Sequence, residues 1–81
     1  MTNKILYQNL KQVFKKIFKI DTNKISSKSS SKTIANWDSI SHVNLILEIE
    51  KKFNIKIKPD DAFKLNNVDA ILKYLKKYTN Q

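Results

Sequence analysis

The sequence predicts an all-α protein: a small four-helix bundle with three longer helices, one short helix, and a long loop between the first and second helices. Apolar residues recur at three- and four-residue steps in three separate stretches, the pattern of amphipathic helices. The alternating residues 55–58 have no second strand with which to pair. A chain of 81 residues without an internal repeat supports one hydrophobic core. We therefore expect a single domain over residues 1–81, with frayed termini.

The first helix is predicted over about residues 4–19, with Thr2 or Asn3 as its N-cap. Its lysines lie largely off the apolar stripe, and several are near its C-terminal end, where positive charge interacts favourably with the helix dipole. The predicted core-facing residues are Leu6, Leu10, Val13, Phe14, Ile17 and Phe18.

A long polar loop is predicted over about residues 21–36. Residues 26–32 consist of serine and lysine, a low-complexity composition typical of a flexible surface connector. The loop has no glycine with which to build a phosphate-binding backbone cradle. We expect it to be held on the bundle by three isolated apolar residues, Ile20, Ile25 and Ile34.

The second helix is predicted over about residues 39–53, between Asp38 as N-cap and Asn54 at its end. A second apolar group lies beside its buried stripe, and surplus apolar surface of this kind is typical of a docking face. The predicted buried stripe is Leu45, Ile46, Ile49 and Phe53, and the second group is Ile40, Val43 and Leu47.

The last part of the chain is predicted to add a short helix and a long one. An extended linker over residues 55–58 places Ile55 and Ile57 in the core, and Pro59 with two following aspartates starts a helix of about one turn. Asn67 is predicted to cap a last helix over about residues 68–78. Its predicted buried stripe is Val68, Ile71, Leu72 and Leu75.

The composition excludes several classes of function. Without cysteine and with one histidine, the chain cannot form disulfides, thiolate metal sites or a histidine-rich metal cluster. Asp60, Asp61 and Asp69 lack the glycine and the spacing of a calcium loop, and favourable charge at two helix starts accounts for them. No apolar run approaches the roughly 20 residues that span a bilayer, and the N-terminus lacks a secretory signal. We expect a soluble cytoplasmic monomer without a metal.

The formal net charge of +9 raises the alternative of a small basic helical module that binds nucleic acid or an acidic protein surface. All 16 basic residues are lysine, so the bidentate arginine contacts that read bases are absent. The lysines also occur in every segment, and AT-rich coding would produce the joint abundance of Lys, Asn and Ile. A solvated lysine surface is the preferred interpretation, with nucleic-acid binding as the alternative.

Asp38, Ser39 and His42 match a catalytic triad in residue type. Their placement on one helical turn does not put the imidazole between the serine and the carboxylate, as base transfer requires. No oxyanion hole or substrate cleft accompanies them. We therefore expect no enzymatic activity, and interpret His42 as a helix-surface residue or as one partly packed under Trp37.

A family resemblance starts at the second helix. The residues that carry it are Asp38-Ser39-Ile40, Val43, Leu45-Ile46, Ile49-Glu50 and Phe53-Asn54-Ile55. They resemble the acyl carrier proteins and, more broadly, the phosphopantetheine-bearing carrier domains, whose motif is Asp-Ser-Leu and then a helix ending in Glu-x-x-Phe-Gly-Ile. Here isoleucine replaces the leucine and asparagine the glycine, and asparagine also tolerates a left-handed helix end. Helix order, loop and length extend the resemblance over nearly the whole chain.

The resemblance implies that Ser39, with Asp38 as cap and motif partner, bears 4′-phosphopantetheine transferred from coenzyme A by a separate phosphopantetheinyl transferase. The thiol of that cofactor would carry acyl or aminoacyl groups as thioesters to loading, transferase and synthase enzymes, and the protein itself would catalyse nothing. The absence of cysteine agrees, because the reactive sulfur then belongs to the cofactor. A helix N-terminus also suits a phosphodiester.

Partner recognition is expected to depart from the acidic pattern of fatty-acid carriers. Ser41, Asn44 and Lys51 stand where that family usually presents acidic or mixed polar residues, and a net charge of +9 disfavours docking on a basic surface. We therefore expect a specialised biosynthetic or modification pathway, not housekeeping fatty-acid synthesis. Trp37 either braces the loop or helps a partner to find the serine. The predicted docking residues are Trp37, Ile40, Val43, Asn44, Leu47 and Glu50.

A bound acyl chain is expected, if it enters the bundle, between the second and third helices. The predicted lining is Ile46, Ile57, Phe63 and Leu65. Simple core packing is the alternative, and the preferred one for each of these residues taken singly.

Overall fold

The computed structural model of the chain describes residues 3–26 and 28–79, which form four α-helices and no β-strand. The helices are α1 (Asn3–Phe18), α2 (Ser39–Phe53), α3 (Pro59–Ala62) and α4 (Val68–Thr79), with one 3-10 turn, Thr22–Lys24, between α1 and α2. The prediction of three longer helices, one short helix and a long first connection is confirmed.

Side-chain caps set the starts of α2 and α4 as predicted. Asp38 caps α2, and the Oδ1 atom of Asn67 accepts a hydrogen bond from the amide of Ala70 at 2.7 Å at the start of α4. Of the two N-caps predicted for α1, Thr2 lies outside the described residues. Asn3 is the first residue of the helix, not its cap.

Residues with positive φ end the first two long helices. Lys19 follows α1 with φ 57°, and Asn54 follows α2 with φ 54°, in the left-handed conformation that asparagine tolerates well. Beyond Asn54 the chain runs without regular structure to Pro59, which occupies the first turn of α3 as predicted.

The helix α1 lies at the centre of the core, since it packs against both α2 and α4. Two residues of the predicted stripes, Ile17 of α1 and Leu72 of α4, are only partly buried and lie at the edge of the core. The buried apolar residues are Leu6, Leu10, Val13, Phe14, Phe18, Ile25, Ile34, Trp37, Leu45, Ile46, Ile49, Phe53, Ile57, Leu65, Val68, Ile71 and Leu75.

The loop between α1 and α2 is attached to the bundle by apolar contacts and by hydrogen bonds. Two of the three isoleucines predicted to hold it are buried, and Ile20 is partly buried. The amide of Ser31 donates to the carbonyl of Asn66 at 3.0 Å, and the amide of Val68 donates to the carbonyl of Ser29 at 2.9 Å. These bonds join the loop to the start of α4. The predicted flexibility of the loop stays a prediction.

Candidate functional site

The site begins at the N-cap of α2. The Oδ1 atom of Asp38 accepts a hydrogen bond from the amide of Ser41 at 2.9 Å, and the carbonyl of Asp38 accepts the first helical bond from the amide of His42 at 2.8 Å. The bond from Ser41 lowers the pKa of the Asp38 carboxyl below its ordinary value. Asp38 is therefore a charged cap at neutral pH, as the sequence predicts.

Ser39 is the first residue of α2, and its side chain is exposed. Its hydroxyl makes no hydrogen bond to any part of the chain that the structure describes. The cap at Asp38 fixes the backbone of this first turn, so the hydroxyl is presented at a defined position while its oxygen remains available.

Trp37 anchors the start of α2 to α1. Its side chain is only 8% exposed, and its ring centroid lies 5.4 Å from those of both Phe14 and Phe18. A ring buried in this way offers a partner almost no surface. Of the two predicted roles, the burial of the ring supports bracing, and the predicted place of Trp37 on the docking surface stays a prediction.

His42 links Trp37 to α3. Its Nδ1 accepts a hydrogen bond from the indole Nε1 of Trp37 at 2.9 Å, so its proton must lie on Nε2, which donates to the carbonyl of Ala62 at 2.8 Å. Both ring nitrogens are thereby engaged away from Ser39, and neither is left to act as a base for its hydroxyl. Packing of His42 against Trp37 was one of its two predicted placements and is confirmed, with the rings 6.1 Å apart and nearly parallel.

The contact between His42 and α3 is absent from the sequence prediction. It joins residues that lie 20 positions apart, and neither local periodicity nor capping chemistry signals it. The only sequence signal was the presence of one histidine in a helix that also carries a serine motif.

The outer face of α2 is apolar, as predicted. Ile40 is 76% exposed, Val43 and Leu47 are more than half exposed, and Asn44 lies exposed beside them. Exposed large aliphatic side chains at successive turns of one helix form a continuous apolar strip.

The carboxylates of α2 are engaged within the bundle. Glu50 accepts a hydrogen bond from the amide of Ile57 at 2.7 Å and is partly buried. Glu48 pairs with Lys16 of α1 at 2.9 Å, and this hydrogen bond holds the pKa of Glu48 below its usual value. The carboxylate of Glu50 thus holds the linker before α3. The predicted place of Glu50 at the rim of the docking surface stays a prediction.

The residues predicted to line an acyl chain separate into two groups. Ile46, Ile57 and Leu65 are buried in the core, whereas Phe63 is 81% exposed. The prediction of Phe63 as an interior lining residue is wrong. The helix α3 ends at Ala62, and the next side chain lies at the surface.

A surface groove with a volume of about 410 Å³ lies beside Ser39, and we call it the Ser39 groove. Its lining combines the apolar side chains of Val43 and Phe63 with the ring of Trp37 and the polar residues Ser31 and Asn66. A second groove of about 500 Å³ is lined mainly by α1 and α4 and contains none of these residues, so it plays no part in the site.

Among the described residues, no group of three or more His, Asp or Glu side chains is placed to hold a metal ion. No helix in the described ranges is long and apolar enough to cross a membrane.

Comparison with known families gives the class of the protein. A family model described as the phosphopantetheine attachment site matches residues 8–75. The helical bundle and the matched segment thus define a phosphopantetheine-bearing carrier domain.

Comparison with individual proteins narrows this class. The chain is 30% identical over 80 residues to the acyl carrier protein of Lactobacillus johnsonii. The matched region covers 99% of this chain and all of that relative. It is 35% identical to the acyl carrier protein of Buchnera aphidicola subsp. Schizaphis graminum, over 84% of this chain and 86% of that relative. It is 38% identical to that of Brachyspira hyodysenteriae, over 72% and 74% of the two chains. The chain belongs to the acyl carrier protein family.

Family membership fixes the general chemistry. Acyl carrier proteins are non-catalytic, take 4′-phosphopantetheine as their prosthetic group, and interact with synthase and transferase enzymes. The alternative of a nucleic-acid-binding module is not needed to account for the fold or for the exposed motif.

Proposed function

We propose that Ser39 carries the 4′-phosphopantetheine and that the protein delivers acyl or aminoacyl groups, held as thioesters on that arm, to partner enzymes. The observation that carries this assignment is the unengaged, exposed hydroxyl of Ser39 at the first residue of α2, directly after the Asp38 cap. When bound, the cofactor supplies the thiol that the cysteine-free chain lacks.

The residues around Ser39 fit this group. The N-terminal end of a 15-residue helix favours the negative charge of a phosphodiester through its dipole. In the transfer, the Ser39 oxygen bonds to the phosphorus that bears the pantetheine, the pyrophosphate bond of coenzyme A breaks, and adenosine 3′,5′-bisphosphate leaves. The hydroxyl proton passes to a base of the transferase, since both nitrogens of His42 are engaged elsewhere.

The assignment is tested by intact mass after incubation with coenzyme A and a phosphopantetheinyl transferase of broad specificity. The wild-type chain and Ser41→Ala, a matched control in the same helical turn, should each gain one pantetheine adduct, and Ser39→Ala should gain none. No adduct on the wild-type chain, under conditions that modify a known carrier, would contradict the assignment. So would an adduct on Ser39→Ala.

We further propose that partner enzymes dock on the outer face of α2 through Ile40, Val43 and Leu47, with Asn44 beside them. The charges support this. Between Asp38 and Asn66 five lysines balance five carboxylates, so the net charge of +9 belongs to the rest of the chain. The carboxylates of α2 are engaged as a helix cap, in an ion pair and in a backbone hydrogen bond. Attraction to a basic partner surface therefore contributes little, and apolar contact dominates.

This docking mode leads us to propose a specialised biosynthetic or modification pathway in the cytoplasm, where coenzyme A serves the transferase. We propose that it acts as a monomer, which the buried cluster formed by the described residues of one chain supports. A mass spectrum of the thioester isolated from the native organism tests the pathway. Recovery of ordinary fatty acyl chains as the main cargo would contradict it.

The docking mode has its own test. Because buried apolar contacts dominate interface energetics, Leu47→Ser should lower kcat/KM for loading by the transferase about tenfold. Glu48→Gln removes a charge one residue away and should change kcat/KM less than about twofold. The reverse order of effects would show that charge governs docking.

A further inference from the structure

The exposure of Phe63 calls for a physical explanation. A phenylalanine that is 81% exposed keeps most of its apolar surface in water, a state that contributes little to folding. Phe63 also lines the same groove as the residue proposed to carry the cofactor. Exposed apolar surface next to a functional group is typical of a binding site.

His42 holds the backbone directly before Phe63. The hydrogen bond from Nε2 of His42 to the carbonyl of Ala62 fixes the residue directly before Phe63. The indole of Trp37, buried against α1, holds the other nitrogen of the same ring. The backbone that leads into Phe63 is therefore held beside the start of α2 by two hydrogen bonds and a buried anchor.

The polar side of the Ser39 groove is available for hydrogen bonding. The hydroxyl of Ser31 and the amide NH₂ of Asn66 make no hydrogen bond to any other described residue. Their backbones are held together by the bond from the amide of Ser31 to the carbonyl of Asn66 at 3.0 Å. The lining of this groove of about 410 Å³ thus combines apolar side chains with two polar groups whose backbones are hydrogen-bonded to each other.

We infer that the Ser39 groove holds the pantetheine part of the prosthetic arm, with Phe63 and Val43 contacting its dimethyl-substituted carbon and Ser31 and Asn66 bonding its amides. This rests on the proposed attachment at Ser39. Pantetheine alternates amide groups with aliphatic carbons, and the groove pairs donors and acceptors with apolar side chains in the same way. The groove borders Ser39 itself, so it receives the arm near its root.

The test compares ¹H–¹⁵N spectra of the apo chain with those of the chain loaded with unacylated phosphopantetheine. The single tryptophan gives one indole signal, which reports on the groove without further assignment. Loading should shift this signal and the amides of Phe63 and Asn66, which lie far from Ser39 in sequence.

Phe63→Ala should still be loaded, and should reduce those shifts roughly twofold or more, because it removes the apolar wall. Lys64→Ala is the matched control. Its side chain is exposed and follows Phe63 directly, but it lies outside the groove lining and outside the proposed docking face, so the shifts at Asn66 should persist. Because Phe63 is exposed, the thermal unfolding of Phe63→Ala should match that of wild type.

The outcomes separate the two proposals. A loaded chain whose shifts stay within residues 38–42 overturns the groove assignment and leaves Ser39 as the attachment site. Shifts at Asn66 that survive Phe63→Ala unchanged also overturn it. A wild-type chain that gains no adduct overturns both.

Discussion

The starts of α2 and α4 have the same kind of cap and differ in the residue directly after it. At α2 the amide of Ser41 donates to Asp38 at 2.9 Å, and at α4 the amide of Ala70 donates to Asn67 at 2.7 Å. In both cases the donor lies three residues after the cap. The first helical residue is an exposed serine in α2 and a fully buried valine in α4.

The surroundings of the two starts differ as well. The start of α4 is covered by the loop, whose Ser29 carbonyl accepts from the amide of Val68. The start of α2 opens on the Ser39 groove. A capped helix start is thus a common structural feature, and it becomes a candidate attachment site only where its first side chain is exposed and unengaged.

The largest expected contrast is in stability. Val68→Ala removes two methyl groups from a fully buried position and should destabilise the protein by about 2 kcal/mol. Ser39→Ala at the equivalent position of α2 should change stability by less than about 0.5 kcal/mol while abolishing loading. Urea unfolding followed by circular dichroism measures both. Equal destabilisation would mean that the two helix starts have the same structural role.

The next effect concerns the link from α2 to α3. His42→Ala should destabilise the protein by about 1–3 kcal/mol, because it leaves the largely buried indole N–H of Trp37 without its acceptor and frees the carbonyl of Ala62. Asn44→Ala on the exposed side of the same helix serves as control. If His42→Ala unfolds like this control, the link does not hold α3.

The smallest effect is a difference in pH dependence between the two caps. The folded-state pKa of Asp38 is lowered, so its cap contributes stability above the unfolded value of about 3.9 and loses it as pH falls through the lowered pKa. Asn67 carries no charge, so the cap of α4 has no such dependence. Asp38→Asn should therefore flatten the fall in melting temperature between about pH 5 and pH 2, because asparagine caps equally well and its side chain carries no charge at any of these pH values.

The complementary comparison is between wild type and Asn67→Asp. This substitution gives α4 a charged cap, so the melting temperature should fall more steeply over the same pH range. Identical pH profiles for wild type and Asp38→Asn would contradict the charged role of the α2 cap.

Much of the fold can be predicted from short-range patterns. The bounds of α2 are predicted to the residue, because Asp38 caps its N-terminal end and Asn54 adopts the left-handed conformation that ends it. The buried stripe of α2 also follows from helical periodicity alone. The burial of Ile17 and Leu72 is overestimated, because periodicity identifies a face but not how far the neighbouring helices cover it.

The candidate site is predicted less completely. Ser39, its cap and the apolar outer face of α2 can be found from sequence, because each lies within one helix or directly before it. The sequence places Trp37 and Glu50 among the predicted docking residues but does not reveal their contacts. Trp37 packs against Phe14, and Glu50 accepts a hydrogen bond from the amide of Ile57, and both contacts reach other segments of the chain.

The amino-acid sequence alone therefore establishes where α2 begins and ends, which helix faces are apolar, and which serine stands exposed after a cap. These properties depend on interactions within about four residues. The burial of Trp37, the engagement of Glu50, and the bond by which His42 holds α3 so that Phe63 lies beside Ser39 emerge only from the tertiary structure. Such contacts join separate segments of the chain, and their geometry exists only once the helices have packed.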